Sequence, residues 1–250
     1  METVIMLPIH LAVLRPADLK EIARSKPLIL VPIGTTEWHA DHLPVGVDNL
    51  LSQATCDDIS AQTGCVVAPP VPFGICKNLK PEEGYFGTVD TINIDTLTNL
   101  LIDLGSGYAK MGFKKMVLFT GHFEPGHWEA INTAITRSKD IEMVMLSAFD
   151  FLEGRIQELD DVEQTWPFAG DHAAEWETSM MLHYYPELVD MDSAPETIEL
   201  TMPGIPEYIQ KRYPRRASKK YGKEIAEAVK EGGVKTINQL LDSINRAPHN

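Results

Sequence analysis

Two apolar runs, each followed by an acidic residue and a histidine two positions apart, constrain the fold of this chain more than any other feature. The runs cover residues 28–34 and 116–121, and the pairs are Glu37 with His39 and His122 with Glu124. Runs rich in Val, Ile and Leu and bounded by glycine are typical of buried parallel strands. Because residues i and i+2 of an extended segment point the same way, each pair should direct a carboxylate and an imidazole at one place.

The rest of the chain alternates strands and helices. Predicted strands cover residues 28–33, 66–70, 115–120 and 142–147, and predicted helices cover 18–25, 48–63, 94–111, 129–138, 175–185, 219–231 and 236–245. This alternation predicts an α/β fold of three α/β/α layers around a mostly parallel sheet. With 250 residues, 44% of them hydrophobic, we expect a single domain over residues 1–250.

The two pairs and Asp48, which opens the helix after the first pair, suggest a metal site. Ligands commonly bind outside the carboxyl ends of strands in open α/β sheets. Two imidazoles and three carboxylates suit one or two divalent ions such as Zn or Mn. The pattern alone leaves a second interpretation open, in which each pair belongs to an ordinary solvated loop.

The net charge, the cysteine content and the lengths of the apolar runs exclude several classes of protein. The net charge of -14 is the wrong sign for a protein that follows a nucleic-acid backbone or an anionic membrane surface. Three scattered cysteines do not suggest a disulfide framework, and no apolar run approaches the roughly 20 residues that span a bilayer. The first residues lack the basic segment of a signal peptide, so we expect a cytoplasmic protein.

Four motifs in combination resemble the creatininase (creatinine amidohydrolase) family. They are Val-Pro-Ile-Gly-Thr-Thr-Glu-Trp-His at 31–39, His-Leu-Pro-Val-Gly-Val-Asp at 42–48, Thr-Gly-His-Phe-Glu at 120–124 and Gly-Asp-His-Ala-Ala-Glu-Trp-Glu-Thr-Ser at 170–179. The resemblance spans roughly residues 28–245 and implies a creatininase-like fold. It also implies two divalent metal ions, Zn or Mn, with the ligands Glu37, His39, Asp48, His122 and Glu124, of which Asp48 bridges both ions.

The same resemblance implies catalytic roles for His172, Glu177 and Glu124. His172 matches the catalytic histidine of the family, and a histidine can transfer protons near neutral pH. Each residue also has a structural alternative: His172 could cap the following helix, and Glu177 could be a surface partner on that helix. From spacing alone, His127 is left outside the metal site, while His42 either orients a ligand or is a polar loop residue.

The substrate-binding residues that the resemblance suggests are Cys76, Phe123, Trp166, Asp171 and Trp176. Trp38, Trp166 and Trp176 could wall a small planar substrate or pack in the core, and Asp171 could instead cap the helix at its N-terminus. The loop at 75–86 departs from the family pattern, because it is charged and lacks a histidine that many members carry. The substrate therefore stays open.

We interpret the chain as an enzyme that opens a small cyclic amide or amidine, such as creatinine, with a metal-activated water. The family also implies two alternatives: a formamide hydrolase acting on a pterin or flavin precursor, and a hydrolase that opens a keto-inositol ring at a carbon–carbon bond. A protein that binds without turnover belongs to a different class. The presence of all five predicted ligands and of His172 favours an enzyme.

The family resemblance also implies a closed homo-oligomer, with a hexamer favoured, acting on a small molecule. The irregular segment 193–214 carries the apolar residues Met202, Ile205, Tyr208, Ile209 and Tyr213. A free loop would expose too much apolar surface, so we expect this segment to pack against a neighbouring subunit. The alternative is that it folds back over its own sheet.

Overall fold

The computed structural model describes residues 7–152, 172–199 and 211–246. Its strands are β1 (Ile9–His10), β2 (Leu28–Ile33), β3 (Val66–Val67), β4 (Lys115–Thr120), β5 (Glu142–Ser147), β6 (Ile198–Glu199) and β7 (Lys211–Arg212). Its helices are α1 (Pro16–Ser25), α2 (Val47–Thr63), α3 (Ile94–Lys110), α4 (Pro125–Arg137), α5 (Phe149–Leu152), α6 (Glu175–Tyr184) and α7 (Lys219–Arg246). None of the helices within these ranges is long and apolar enough to cross a membrane.

A five-stranded parallel sheet lies at the centre, in the order β1-β3-β2-β4-β5. The two strands that carry the paired motifs, β2 and β4, are neighbours. Their last residues, Ile33 and Thr120, are direct partners in the ladder. Both loops therefore leave the same edge of the sheet at the same height, as the strand periodicity predicts.

Helices cover both faces of the sheet, and β2 alternates between two cores. Leu28 and Leu30 pack into a core with α2, α6 and α7. Ile29 and Val31 point the other way, into a core with α3 and α4. This period of two in a strand buried on both sides produces three layers, and the predicted α/β/α fold is confirmed.

The main helix boundaries follow turn and cap chemistry. Helix α2 ends where the sequence predicts, since Gly64 adopts a φ of 70° and its N–H bonds the carbonyl of Ser60. Helix α4 begins four residues earlier than predicted, because Pro125 occupies the first helical position, where its missing N–H costs nothing. Strand β3 is shorter than predicted, since Pro69 and Pro70 cannot donate to a ladder.

The prediction of two C-terminal helices was wrong, because α7 is one continuous helix. The gap between the two predicted helices contains a glycine pair at 232–233. A Cβ on Gly232 would lie 2.7 Å from the ring of Phe151, and one on Gly233 would lie 2.5 Å from Ile59. These glycines allow α7 to pack closely against its neighbours rather than ending it.

The segment predicted to be irregular contains short strands at both ends. β6 and β7 form an antiparallel pair, with Ile198 opposite Arg212. The apolar residues at positions 202, 205, 208 and 209 lie outside the described residues, so the subunit contact stays a prediction.

Candidate metal centre

The two strand ends and the start of α2 meet closely enough to collect their polar side chains. A Cβ on Gly34, just after β2, would lie 2.7 Å from the Cβ of Asp48. A Cβ on Gly121, just after β4, would lie 2.4 Å from the carbonyl oxygen of Asp48. Only glycine fits at both positions, and the absence of side chains there allows Asp48 to lie between the two loops.

Within the part of the chain that the structure describes, three overlapping groups of buried side chains could each hold a metal ion. The groups are Glu37, Asp48 and His122; His39, Asp48 and Glu177; and Glu37, His39 and His172. Within each group the candidate ligand atoms all lie within 4.8 Å of one another. Four of the five predicted ligands are therefore brought together. Glu177 and His172, from a segment much later in the chain, join them.

Asp48 lies at the centre of two of these groups. Its Oδ2 is 3.0 Å from Nδ1 of His122, and its Oδ1 is 3.3 Å from Nε2 of His39. Each carboxylate oxygen thus faces a different histidine. This arrangement is what a carboxylate that bridges two ions requires.

The remaining short contacts complete the two groups. Nδ1 of His122 lies 3.2 Å from Oε1 of Glu37, and Nε2 of His39 lies 3.5 Å from Oε2 of Glu177. The backbone N–H of Ala173 donates a 2.6 Å hydrogen bond to the same Glu177 oxygen and orients it. Every one of these carboxylates is buried.

One ring nitrogen of each histidine is hydrogen-bonded to the backbone, and this leaves the other nitrogen available to bind a cation. Three backbone carbonyls accept hydrogen bonds from these nitrogens: Glu37 O from His39 Nδ1 at 3.0 Å, Ile75 O from His122 Nε2 at 2.8 Å, and Trp38 O from His172 Nε2 at 2.7 Å. A neutral imidazole that donates from one nitrogen carries a lone pair on the other. The lone pairs of His39 and His122 face carboxylate oxygens at close range, so a proton or a cation is favoured between them. Metal-binding histidines in proteins are held in this way.

The pKa shifts describe the metal-free form of the same arrangement. Burial opposes the charged form of His39, but the carboxylates of Asp48 and Glu177 outweigh burial and raise its pKa to about 10. Burial is likewise outweighed at His122, where Glu37 and Asp48 raise the pKa well above its usual value. Protons therefore occupy positions that a divalent ion would take, and the donor set fits a metal pair.

Glu124, the fifth predicted ligand, lies outside the three groups. Its Oε1 and Oε2 accept hydrogen bonds of 3.1 and 2.8 Å from the backbone N–H of Lys77. Burial raises the pKa of its carboxyl group. Its roles as ligand and catalyst stay predictions, while its contacts tie the loop after β4 to the segment at residue 77.

Glu177 takes a position that sequence reasoning did not assign. It was predicted to act in catalysis, whereas its carboxylate lies among the candidate ligands of the second group. The residue sits in the first turn of α6, and 138 positions separate it from His39. Only the presence of an acidic residue on a buried helical face could have indicated this role.

The predicted substrate residues lie around the centre or outside the described residues. Cys76 is buried beside the Glu37 carboxylate, and burial together with Glu37 raises the pKa of its thiol, so it is not a thiolate. The rings of Phe123 and Phe149 lie 3.9 Å apart, and Phe149 stacks on Trp176 at 5.5 Å. Positions 166 and 171 fall in the undescribed range 153–171.

Other aromatic and imidazole rings lie near the candidate ligands or next to them in the sequence. Trp38 stacks on His172 at 6.2 Å and meets Tyr85 edge-on at 5.2 Å. His42 does not contact a candidate ligand through its Nε2, which lies 2.9 Å from the Thr178 hydroxyl. His127 is fully buried, with its ring 4.9 Å from that of His122, and burial lowers its pKa to about 3, so it is neutral.

Sequence comparisons identify relatives that are named as hydrolases or peptidases. Creatinine amidohydrolase of Pseudomonas putida is 29% identical over 195 residues, 73% of this chain and 74% of that protein. Mycofactocin precursor peptide peptidase of Mycolicibacterium smegmatis is 33% identical over 179 residues, 69% of this chain and 64% of its own. 3-dehydro-scyllo-inosose hydrolase of Thermotoga maritima is 27% identical over 184 residues, 72% of this chain and 57% of its own. The match thus spans less than two thirds of the last two proteins.

Solved structures agree with this relationship. A crystal structure of creatinine amidohydrolase (creatininase) superposes with a TM-score of 0.80 at 25% identity and covers 97% of this chain and 99% of that one. The Mn form of creatininase gives a TM-score of 0.80, and a mutant creatininase of the Zn-Zn type gives 0.78, each at 25% identity and covering 94% of this chain. The family model described as creatinine amidohydrolase matches residues 12–237. The chain therefore belongs to the creatininase family of hydrolases.

Proposed function

We propose that this protein is a dinuclear metal-dependent amidohydrolase that opens a small cyclic amide or amidine of the creatinine type. The position of Asp48 carries the proposal, because its two oxygens face histidines of two separate candidate metal groups. The relationship to a creatinine amidohydrolase supports the type of substrate.

The residues that would hold the ions divide between the two groups. Glu37, Asp48 and His122 suit one ion, and His39, Asp48 and Glu177 suit the other. Zinc and manganese both suit carboxylate and imidazole ligands, and both occur in the related creatininase structures. A bound metal pair supplies an attacking water at neutral pH and polarises the substrate carbonyl.

His172 is placed to move the proton. Its Nε2 is held by the carbonyl of Trp38, so Nδ1 is the nitrogen that faces the candidate ligands, 3.4 Å from Oε1 of Glu37. Burial, together with the nearby charge of His39, lowers its pKa, so the ring is neutral at pH 7. We assign it to accept a proton at Nδ1 from the attacking water and to donate it to the leaving nitrogen.

The row of rings formed by Phe123, Phe149 and Trp176 supports a small, flat substrate. Consecutive rings in this row are 3.9 and 5.5 Å apart. Phe123 directly follows His122 and Trp176 directly precedes Glu177, so both ends of the row lie next to candidate ligands. A planar ring could stack on such a row while its carbonyl reaches the ions.

A second candidate function is opening of a keto-inositol ring, which the 27% identity to an inosose hydrolase favours. The same metal groups could polarise a ketone instead of an amide carbonyl. The two candidates differ in the product. Opening a cyclic amide breaks a carbon–nitrogen bond and leaves a carboxylate and an amine on one open chain, whereas opening a keto-inositol ring breaks a carbon–carbon bond and leaves a carboxylate and a new C–H bond.

The test compares metal-free, zinc-loaded and manganese-loaded protein on creatinine, formamides and cyclic ketones side by side. We expect chelation to abolish hydrolysis of the cyclic amide and either metal to restore it. Turnover of cyclic ketones alone would replace the first candidate with the second. Protein that binds two ions per chain but hydrolyses no compound of the panel would contradict both.

A further inference from the structure

The backbone of residues 74–77 contacts two side chains of the loop after β4, one of which belongs to a candidate metal ligand. The carbonyl of Ile75 accepts a 2.8 Å hydrogen bond from Nε2 of His122. Two residues later, the N–H of Lys77 donates to the carboxylate of Glu124. The position of Ile75 therefore determines how the His122 ring is oriented.

Ile75 is itself held by His127, on the first turn of α4. Its N–H donates a 3.3 Å hydrogen bond to Nδ1 of His127. One peptide residue thus links two histidines, through its N–H to His127 and through its carbonyl to His122. His127 fixes the backbone whose carbonyl orients a candidate metal ligand.

The other nitrogen of His127 is also used, and the network assigns its proton. Nε2 lies 3.1 Å from Oγ1 of Thr120. The Thr120 hydroxyl already donates its hydrogen to the carbonyl of His122, so Nε2 of His127 must be the donor. The backbone N–H of His122 donates to the same Oγ1. His127 is therefore a neutral ring with a defined tautomer that contacts the His122 backbone through Thr120.

The packing leaves the His127 ring little freedom. A Cβ on Gly74 would lie 2.7 Å from Nδ1 of His127 and 2.6 Å from the carbonyl oxygen of Gly34. The bare backbone of Gly74 lets the segment approach the ring. A buried imidazole with both nitrogens bonded is costly to replace with an apolar group, because its partners would lose their hydrogen bonds.

We propose that His127 is a positioning residue of the metal centre, which fixes Ile75 so that its carbonyl holds His122 with Nδ1 directed at Glu37 and Asp48. This inference rests on the proposed metal-dependent function. Groups that orient a ligand from behind raise its affinity for the metal, and their loss typically costs about 10- to 100-fold. His127 acts without contacting the ion or the substrate.

The test measures zinc affinity directly, by competition between metal-free protein and a chromophoric chelator, with zinc as the sole probe. His127→Gln keeps a donor near Nε2 but removes the acceptor for Ile75, whereas His127→Asn keeps an acceptor near Nδ1. We expect His127→Gln to weaken zinc binding about 10-fold or more and His127→Asn to retain most of the affinity.

The matched control is Ile131→Ala, one turn further along α4. Ile131 is fully buried in the same helix, in the core on the far side of the sheet from α7. Its truncation should destabilise the fold while zinc binds the folded protein as tightly as the wild type. Thermal unfolding of each metal-free variant gives the folded fraction that the affinities are corrected for.

The zinc affinities of the wild type and of the two His127 variants distinguish three possibilities. If Gln and Asn variants lose affinity equally, the route through Ile75 is wrong. If both bind zinc like the wild type after correction, His127 is only a packing residue. If the wild-type protein itself binds no zinc or manganese, the proposed function fails instead of this inference.

Discussion

Nε2 of His39 lies 3.3 Å from Oδ1 of Asp48, although neither residue is exposed to solvent and the other His39 nitrogen is already bonded to the backbone carbonyl of Glu37. A lone pair and a carboxylate oxygen would repel at this distance. In the metal-free protein a proton resolves the conflict, which is why the pKa of His39 rises to about 10. With metal bound, the ion takes the place of that proton.

The first prediction concerns pH. Because the pKa of His39 is about 10 in the folded metal-free protein and about 6.5 when unfolded, its contribution to stability is complete below pH 6.5 and disappears as pH rises towards 10. Zinc binding must displace that proton, so its stabilising effect should increase over the same interval. We expect the Tm difference between zinc-loaded and metal-free protein to grow from pH 6.5 to 9.

Calorimetric titration in buffers of different ionisation enthalpy provides the independent check, since it counts the protons released on zinc binding at pH 7. We expect release of protons, with Asp48→Ala as the control that shows none. A zinc stabilisation that stays constant across the pH range, with no proton release, would falsify this account of the histidine–carboxylate contacts.

The second prediction tests the bridging carboxylate. Asp48→Ala should lose both ions, because one oxygen faces each candidate group and the negative charge between two cations offsets their repulsion. Elemental analysis of protein purified with excess zinc gives the metal content per chain. Asp41→Ala is the matched control, an exposed carboxylate in the loop after β2, and should keep the wild-type content. An Asp48→Ala protein that retains one tightly bound ion would show that the groups are independent.

The parts of the fold and of the site that could be predicted are those encoded by local sequence patterns. The strands at 28–33 and 115–120 were predicted at their observed bounds, because continuous Val, Ile and Leu runs have few other structures available. Since β2 and β4 are neighbours with aligned ends, Glu37, His39, His122 and Asp48 meet as expected, while Glu124 lies outside the groups that they form. Here the sequence signal was local, within about 20 residues of each strand.

The missed features all depend on contacts between distant segments. Glu177 reaches His39 because α6 packs against α2, and no spacing rule connects residues 39 and 177. His127 matched no ligand spacing and is in none of the candidate groups, and its hydrogen bond with the N–H of Ile75 joins segments 52 positions apart, which no local pattern indicates. The continuity of α7 depends on where Phe151 and Ile59 pack, which the glycine pair alone does not reveal.

The third prediction tests the proton-transfer role of His172. His172→Ala should keep both ions and lose about 10²–10⁴-fold in kcat on the best substrate, the usual contribution of a general acid or base. Metal content and turnover are measured on the same preparation. His10→Ala, a half-exposed histidine paired with Asp57, should retain activity. Because His172 also belongs to one candidate group, loss of metal with an unchanged rate per bound ion would reassign it as a ligand.

The fourth prediction concerns assembly. The family resemblance implies a closed homo-oligomer, for which a hexamer is expected, and closed symmetric assemblies are common among enzymes. Light scattering at micromolar concentration should give several times the mass of one 250-residue chain. Charged substitutions at Ile205 and Ile209 should reduce that mass, with Lys235→Glu, at an exposed position of α7, as a surface control. A single-chain mass for the unmodified protein would remove the prediction.

The fifth prediction separates Glu177 from Glu124, which were both predicted to act in catalysis although only Glu124 was predicted to bind metal. Glu177→Gln should leave one tightly bound ion per chain, because its Oε2 faces His39 in one candidate group only. The contacts in the structure imply that Glu124→Gln leaves both ions bound, since the Glu124 oxygens face the N–H of Lys77, whereas the ligand role predicted from the sequence requires that one ion is lost. Elemental analysis after dialysis against a weak chelator distinguishes the two variants.

Each variant in this comparison keeps the volume of the side chain and removes one negative charge, so the pair serves as its own control. Gln at position 124 still offers an amide oxygen to Lys77, and its fold should be retained. Loss of an ion from Glu124→Gln, with both retained in Glu177→Gln, would confirm the ligand role predicted for Glu124 and assign Glu177 to orienting the backbone at Ala173.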